Sequence, residues 1–307
     1  MVRTVTLSDG KVMPTVAFGM GSAGHFKDAE KAKVVGTAAL KAGFKHLDTA
    51  QLYLTEEATG QCIKEAGMSK DDVFVCSKLS ENAVTATTHQ VISGAVRDTI
   101  RQLGFKPDLF LIHNPFVIES GKLGEAWKIL EGLVQDGTLG GTSLGVSNFR
   151  PQDLEAVLAV ATIKPVINQV EYHPYVLSHL EPVKKIQDQH GIRFQAYGPL
   201  TPLLRHPTGG PIKPILERVA KRLSAETGKP VDAHAALALW FLTQNIPIVT
   251  ASGSIERIPA LAAVEQLPDL TPEEVEEISE VGKKVHFRHY REHMEADFDL
   301  PNLPSDL

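Results

Sequence analysis

Residues 73–115 read VFVCSKLSENAVTATTHQVISGAVRDTIRQLGFKPDLFLIHNP and contain one complete structural unit of this chain. Their first run, VFVCSKL, is short and mainly apolar, which is typical of a strand buried on both faces. The next run, His89 to Leu103, has a helical pattern and is followed by Gly104, a residue that commonly ends helices. DLFLIHNP then predicts a second buried strand. Strand, helix and strand in this order indicate parallel strands joined by a helical crossover.

The same alternation continues through most of the chain. A hairpin predicted around the turn Ser8-Asp9-Gly10 precedes it. Eight strand-then-helix units follow, with strands predicted at TVAFGM, HLDTA, VFVCSKL, DLFLIHNP, TSLGVSNF, PVINQVEYHP, RFQAYGPL and PIVTAS. The helices are predicted at Asp28 to Ala42, Glu56 to Ala66, His89 to Leu103, Leu123 to Gln135, Asp153 to Ala161, Leu180 to Gln189, Ile212 to Thr227, Asp232 to Thr243 and Ile255 to Val264. Eight units predict an α/β fold, a closed (β/α)₈ TIM barrel, in one domain over residues 1–307.

An open, doubly wound sheet is the alternative that this alternation allows. Against it, the glycine-rich run GMGSAG at residues 19–24 does not form the turn of a dinucleotide-binding βα unit.

Two segments lie outside the eight units. TPEEVEEISEVGKK, residues 271–284, begins with a threonine cap and an acidic first turn, and predicts an extra helix. The tail from Val285 to Leu307 lacks periodicity and predicts an irregular surface segment.

Composition and charge restrict the possible partners. The 307 residues are 43% hydrophobic and 22% charged, as in ordinary globular proteins, and the net charge of −6 argues against nucleic-acid or anionic-membrane partners. The first residues, MVRTVTLSDGKVMP, lack the apolar core of a signal peptide, and no apolar run is long enough to span a bilayer. We therefore expect a cytoplasmic protein with a small-molecule substrate. Cys62 and Cys76 have no metal or redox spacing and are predicted to be buried thiols.

Polar side chains collect at the predicted strand ends, where the loops of a barrel carry its chemistry. Asp48 ends the strand HLDTA, and Tyr53 follows in its loop. Lys78 and His113 end the next two strands, each within an otherwise apolar run. Each residue alone has an ordinary explanation, as a surface charge, a structural histidine or a turn cap. Together they predict one site, in which Lys78 compensates the buried charge of Asp48.

Six motifs in this order carry a resemblance to a known family: GFKHLDTAQLY, VCSKL, LFLIHNP, GVSNF, INQVEYHP and QAYGPL. From the hairpin to about Leu270 the chain resembles the aldo-keto reductase superfamily. The resemblance implies a catalytic tetrad of Asp48, Tyr53, Lys78 and His113. In this interpretation Tyr53 gives a proton to a carbonyl oxygen, and Lys78 lowers the pKa of Tyr53. Asp48 holds Lys78, and a neutral His113 orients the substrate.

The resemblance also implies a nicotinamide cofactor that lies extended across the barrel mouth. Its predicted binding residues are Ser147, Asn148, Gln169, Tyr197, Leu200, Ser252 and Arg257. Tyr197 is expected to stack on the nicotinamide ring. Many relatives have a Pro-Lys-Ser run whose lysine binds the 2′-phosphate of NADPH, but here Thr250 and Ala251 replace the proline and lysine. Arg257 is always charged and can bind a phosphate bidentately, so we predict NADPH, with NADH as the alternative.

Two departures from the family pattern concern the substrate. Ala23 and Asn114 stand where many relatives have tryptophan, which predicts a wider and more polar pocket mouth. LIHNPF, EAWK and VTAS are similar to a fungal branch that acts on α-keto amides, conjugated polyketones and keto-lactones. The sequence therefore predicts an NADPH-dependent reductase of activated ketones without a metal, as a monomer or homodimer. The alternatives are an aldose-type or xylose-type aldehyde reductase, a non-catalytic NADP(H)-binding regulatory subunit, and a metal-dependent barrel hydrolase suggested only by His46 and Asp48.

Overall fold

The computed structural model describes residues 2–22 and 24–296. Eight parallel strands form a closed barrel, in which each strand lies beside the next in sequence and the last lies beside the first. These strands are β3 (Val16–Gly19), β4 (His46–Asp48), β5 (Phe74–Leu79), β6 (Leu109–Ile112), β7 (Ser143–Ser147), β8 (Ile167–Glu171), β9 (Arg193–Tyr197) and β10 (Ile248–Thr250). The predicted (β/α)₈ barrel is confirmed. All eight strands lie within the apolar runs from which they were predicted.

The predicted hairpin is also present, and it closes one end of the barrel. Its strands, β1 (Thr4–Thr6) and β2 (Val12–Pro14), pair antiparallel with Val5 opposite Met13. Both side chains belong to a buried cluster with Phe74 and Leu109, the first residues of β5 and β6. The hairpin therefore covers the N-terminal end of the strands. The loops after the strands' C-terminal ends surround the opposite end, where barrel enzymes carry their active sites.

The described residues include eleven α-helices. They are α1 (Ala29–Ala42), α2 (Glu56–Glu65), α3 (His89–Leu103), α4 (Leu123–Gln135), α5 (Pro151–Leu158), α6 (Leu177–His190), α7 (Thr201–Leu204), α8 (Lys213–Thr227), α9 (Ala233–Thr243), α10 (Ile258–Ala263) and α11 (Pro272–Gly282). The predicted bounds of α3 and α4 agree with the structure. Helix α5 begins two residues before its predicted start, because proline suits the first helical turn and the backbone N–H of Arg150 donates to Asp153 at 3.0 Å.

Helix α11 confirms the prediction of an extra helix. Thr271 and Glu274 form a reciprocal capping box: the Thr271 hydroxyl accepts from the Glu274 N–H at 3.3 Å, and the Glu274 carboxylate accepts from the Thr271 N–H at 3.0 Å. The helix packs on α9, where the Trp240 indole N–H donates to Ser279 Oγ at 3.0 Å. No helix within 2–22 and 24–296 combines the length and apolar character needed to cross a membrane.

The tail after α11 differs from its prediction. It is irregular, as expected, but it is not a surface segment, because Val285, Arg288 and Met294 are buried. Glu171, the last residue of β8, accepts hydrogen bonds from the backbone N–H groups of His289 at 2.9 Å and of Tyr290 at 3.0 Å. The tail is thereby attached to the open end of the barrel. Residues 297–307 of the predicted tail lie outside the described residues, so the single domain over 1–307 stays a prediction.

Candidate active site

A buried ion pair forms the base of the site. Asp48 ends β4, Lys78 lies on the neighbouring strand β5, and Lys78 Nζ is 2.5 Å from Asp48 Oδ1. The same ammonium donates to the backbone oxygen of Thr49 at 2.9 Å. Both side chains are almost completely buried, and a buried charge is tolerated when it is paired and hydrogen-bonded in this way. The partner predicted for Asp48 is therefore in contact with it.

Tyr53 and His113 lie on the open side of this pair. Tyr53 belongs to a short 3₁₀ turn after β4, and its Oη is 3.2 Å from His113 Nε2. Lys78 Nζ is 5.1 Å from the centroid of the Tyr53 ring. The ring also lies against the backbone of Gly21, where a Cβ atom would come within 2.2 Å of Tyr53 Cδ2. The structure thus brings the four predicted tetrad residues together, and glycine at position 21 leaves room for the phenol.

Within the tetrad, the pKa of Tyr53 is shifted in an unexpected direction. Burial raises the pKa of Tyr53 above its ordinary value, and the opposing effect of Lys78 is smaller. Lys78 acts in the predicted direction, because its charge lowers the pKa of Tyr53, but burial outweighs it and the net pKa is raised. The nearby carboxylate of Asp48 adds to the upward shift.

The other two ionisable groups of the tetrad shift as their surroundings require. Burial alone lowers the pKa of Lys78, but the carboxylate of Asp48 and the phenol of Tyr53 outweigh it, so the pKa of Lys78 is raised. Burial lowers the pKa of His113 well below its ordinary value, and the positive charge of Lys78 adds to this effect. Lys78 is consequently an ammonium at neutral pH, and His113 is a neutral imidazole.

A cavity of about 810 Å³ opens above the tetrad, and its size is within the usual range for small-molecule sites. Five predicted cofactor residues line it: Leu200 and a polar group of Ser147, Asn148, Gln169 and Tyr197. Their side chains are fixed by one another: Tyr197 Oη donates to Asn148 Oδ1 at 2.8 Å, and Asn148 Nδ2 donates to the backbone oxygen of His113 at 3.1 Å. This wall is ordered by protein contacts.

Gln169 connects the wall to the ion pair. Its Nε2 donates to Asp48 Oδ2 at 2.8 Å and to Gln195 Oε1 at 2.9 Å. Both amide hydrogens are therefore used by protein partners. The amide oxygen is the atom of Gln169 that can accept a hydrogen bond from a ligand in the cavity.

A second cavity, of about 400 Å³, adjoins the first, and Pro199, Leu200 and Thr250 line both. Its wall is mainly apolar and includes Ala260 and Leu261 of α10. The predicted cofactor residue Leu200 thus lies between the two cavities. The two cavities share this part of their lining.

Ser252 and Arg257 line neither cavity. The Ser252 hydroxyl donates to the backbone oxygen of Ser254 at 2.9 Å, and Arg257 is exposed in the turn that leads into α10. Arg257 is three and four positions before Ala260 and Leu261, which line the second cavity. The cofactor role of Ser252 and Arg257 therefore stays a prediction.

A sequence model of the aldo/keto reductase family matches residues 15–283 of this chain, which include the whole barrel. The chain belongs to the aldo/keto reductase family. The resemblance drawn from the six motifs is confirmed, and so is the prediction that the protein is an enzyme of this family.

Two curated aldo/keto reductase relatives are similar over nearly their whole lengths. The NAD/NADP-dependent indole-3-acetaldehyde reductase of Schizosaccharomyces pombe is 32% identical, with 93% of this chain and 98% of that protein covered. The NADPH-dependent alpha-keto amide reductase of Saccharomyces cerevisiae is 30% identical, with 90% of each covered. A crystal structure of a Bombyx mori aldo-keto reductase in complex with NADP is 27% identical, has a TM-score of 0.75, and covers 92% of this chain and 93% of its own.

The two predicted substrate-pocket residues of this aldo/keto reductase have different outcomes. Asn114 does not line the cavity, because its Oδ1 accepts from the backbone N–H groups of Phe116 at 2.9 Å and Val117 at 3.1 Å. It caps a short 3₁₀ turn, so its prediction as a pocket wall is corrected. Its Nδ2 is 3.5 Å from Glu81, which does line the cavity. Ala23 lies outside the described residues.

Several cavity residues were not predicted from the sequence. Tyr290, Glu292 and His293 reach the cavity from the tail, which has no periodicity that could indicate a buried position. Ser80 was also missed: its Oγ lies 2.9 Å from His113 Nδ1. Ser80 is two residues after Lys78, and the two-residue period of a strand could have indicated that both side chains point to the same side.

Proposed function

We propose that this aldo/keto reductase reduces a carbonyl group with NADPH, and that its substrate is an activated ketone such as an α-keto amide, keto ester, keto-lactone or diketone. One observation carries the proposal. Tyr53 Oη and His113 Nε2 are 3.2 Å apart, and both residues line the cavity above a buried Lys78–Asp48 pair. Two hydrogen-bonding groups that converge on one point suit an oxygen on which negative charge develops.

The roles of the four residues follow from this geometry. The nicotinamide cofactor, when bound, supplies a hydride to the carbonyl carbon. Tyr53 is a neutral phenol at working pH, since its pKa is raised, and it gives its proton to the carbonyl oxygen. The ammonium of Lys78 stabilises the phenolate that remains, because it lies 5.1 Å from the ring centroid. Asp48 keeps that ammonium charged and in position.

The fit of the cofactor is supported by the space and the polar groups of the site. Two cavities, of about 810 and about 400 Å³, share the lining residues Pro199, Leu200 and Thr250 and offer room for a large ligand. Gln169 offers an acceptor oxygen for a carboxamide, and Tyr197 a ring for stacking. Arg257 supports NADPH over NADH, as does the name of the Saccharomyces cerevisiae relative. The Schizosaccharomyces pombe relative is named for both cofactors, so NADH is the alternative to test.

The substrate class rests on the relatives and on the polarity of the cavity. The relative named for α-keto amides supports an activated ketone, and Glu81, Glu292 and His293 make the outer cavity polar. The relative named for indole-3-acetaldehyde favours an aldehyde as the second candidate. A metal-dependent hydrolase is disfavoured because His46 Nδ1 is 3.0 Å from the Pro14 backbone oxygen and Asp48 is held by Lys78 and Gln169. The proposal includes a cytoplasmic location and a monomeric or homodimeric state.

The direct experiment compares NADPH and NADH oxidation with an α-keto amide, a keto-lactone, a diketone, an aldehyde and an aldose. We expect kcat/KM to be highest for an activated ketone with NADPH. In Arg257→Gln, the loss of a charged hydrogen bond, worth about 1.5–3 kcal/mol, raises KM for NADPH about tenfold or more and leaves KM for NADH unchanged. Arg101→Gln, which alters an exposed arginine of α3, is the matched control. Tight NADP(H) binding without turnover of any carbonyl would instead favour the regulatory subunit.

A further inference from the structure

A buried serine contacts the catalytic-site histidine on the side away from Tyr53. Ser80 directly follows β5 and is completely buried. Its Oγ lies 2.9 Å from His113 Nδ1, a normal hydrogen-bond distance. His113 Nε2 is the nitrogen that approaches Tyr53. The imidazole therefore has one nitrogen on a fixed protein group and the other at the cavity.

Ser80 is held rigidly by its own neighbours. Its backbone N–H donates to Gln51 Oε1 at 2.9 Å. Gln51 Nε2 in turn donates to the backbone oxygen of Ala95 and to Thr99 Oγ1, both at 2.9 Å and both on α3. This chain of contacts connects β5, the turn that carries Tyr53, and α3. The position of the Ser80 hydroxyl is consequently set by three elements of the barrel.

The contact decides which nitrogen of His113 carries the proton. A neutral imidazole has one N–H, and the partner of one nitrogen determines the state of the other. If the Ser80 hydroxyl donates to Nδ1, the proton of His113 is on Nε2. In the other tautomer the proton of His113 is on Nδ1, and the Ser80 hydroxyl has to donate to the backbone oxygen of Lys78 instead. That distance is 3.4 Å, well beyond the usual length of about 2.7–2.8 Å. The geometry therefore favours donation to Nδ1.

We propose that Ser80 is a positioning residue that holds His113 in the Nε2–H tautomer, so that Tyr53 and His113 both donate to the carbonyl oxygen of the substrate. The inference rests on the proposed carbonyl reduction. With the other tautomer, His113 Nε2 would be an acceptor and would compete with the substrate for the Tyr53 proton. The serine thus makes the site a pair of donors aimed at one oxygen, which is what developing negative charge requires.

The tautomer can be measured without turnover. In protein labelled with ¹⁵N-histidine, the two ring nitrogens of His113 are distinguished by NMR and assigned among the 12 histidines by comparison with His113→Gln. We expect the proton on Nε2 in the wild type and in Ser80→Thr, which keeps the hydroxyl. In Ser80→Ala we expect a mixture of tautomers. Ser77→Ala is the control, because Ser77 is buried on the same strand but donates to Glu56 at 2.6 Å.

Kinetics on the same variants test the consequence. We expect kcat for carbonyl reduction to fall about 10- to 100-fold in Ser80→Ala, with the Kd for NADPH unchanged. This range is typical when a group that orients a functional histidine is removed. Ser80→Thr should recover most of that loss, and Ser77→Ala should keep wild-type kcat. A wild-type proton on Nδ1, or the same tautomer in Ser80→Ala, would overturn the assignment. If the tautomers behave as expected but the wild type reduces no carbonyl, the proposed function fails, while the assignment of the His113 tautomer to Ser80 stands.

Discussion

The pKa values of Tyr53 and His113 differ from those of the same side chains in water. Burial raises the pKa of Tyr53 and lowers the pKa of His113. Tyr53 loses its phenolic proton only as the pH rises through a pKa above the ordinary value of about 10. The neutral imidazole is lost only as the pH falls through a pKa below about 6.5. Both groups are therefore in their active form across the whole neutral range.

These shifts predict a flat pH profile for carbonyl reduction. We expect kcat/KM for the ketone to be nearly constant between about pH 7 and 9 and to fall above about pH 10, as Tyr53 loses its proton. The measurement is kcat/KM at saturating NADPH across this range and downward past about pH 6.5, with far-UV circular dichroism to check that the protein stays folded. A titration step close to pH 6.5 would contradict the account, because it would mean that His113 ionises as it does in water.

At the scale of elements, the junction between β8 and the tail controls the outer cavity. Glu171 is completely buried and binds the tail through two backbone N–H groups and, at 3.4 Å, through Nη1 of the buried Arg288. Burial alone would raise the pKa of Glu171, but His173, Arg288 and the His289 N–H outweigh it and hold the pKa low. One carboxylate thus attaches β8 to the tail that supplies Tyr290, Glu292 and His293.

Glu171→Gln tests this dependence. Each charge-assisted hydrogen bond contributes about 1.5–3 kcal/mol, so we expect the tail to loosen and KM for the ketone to rise about tenfold or more. Trypsin should cleave faster after Arg291, while the Kd for NADPH stays close to that of the wild type. Glu295→Gln is the control, because its ion pairs in the same tail are long, at 3.9 and 4.0 Å. Unchanged KM and unchanged cleavage in Glu171→Gln would show that this carboxylate does not hold the tail.

At the scale of the whole molecule, the periodic parts of the sequence predicted the structure well. The bounds of α3 and α4 could be predicted because apolar spacing and a following Gly104 or Gly137 define them. The tetrad could be placed because Asp48, Lys78 and His113 end consecutive strands of the barrel. The order of those strands follows from the parallel fold, in which each strand lies beside the next in sequence.

The wrong predictions concern contacts between residues that are distant in sequence. The tail is attached at Glu171, 118 residues before His289, and no local pattern indicates this contact. The capping role of Asn114 was overlooked although Pro115 follows it, because a substrate role was assigned from the resemblance. The raised pKa of Tyr53 results mainly from its burial in the folded barrel, which residue types alone do not reveal.

The central claim is that Tyr53, on the Lys78–Asp48 pair, gives the proton that completes carbonyl reduction. The most direct measurement is kcat for ketone-dependent NADPH oxidation in Tyr53→Phe, together with the Kd for NADPH. Tyr172→Phe makes the same change at a buried tyrosine that packs beside Phe194 in the core. We predict that kcat falls about 10²- to 10⁴-fold in Tyr53→Phe, with Kd unchanged, and stays at the wild-type value in Tyr172→Phe. Full turnover by Tyr53→Phe would contradict the account.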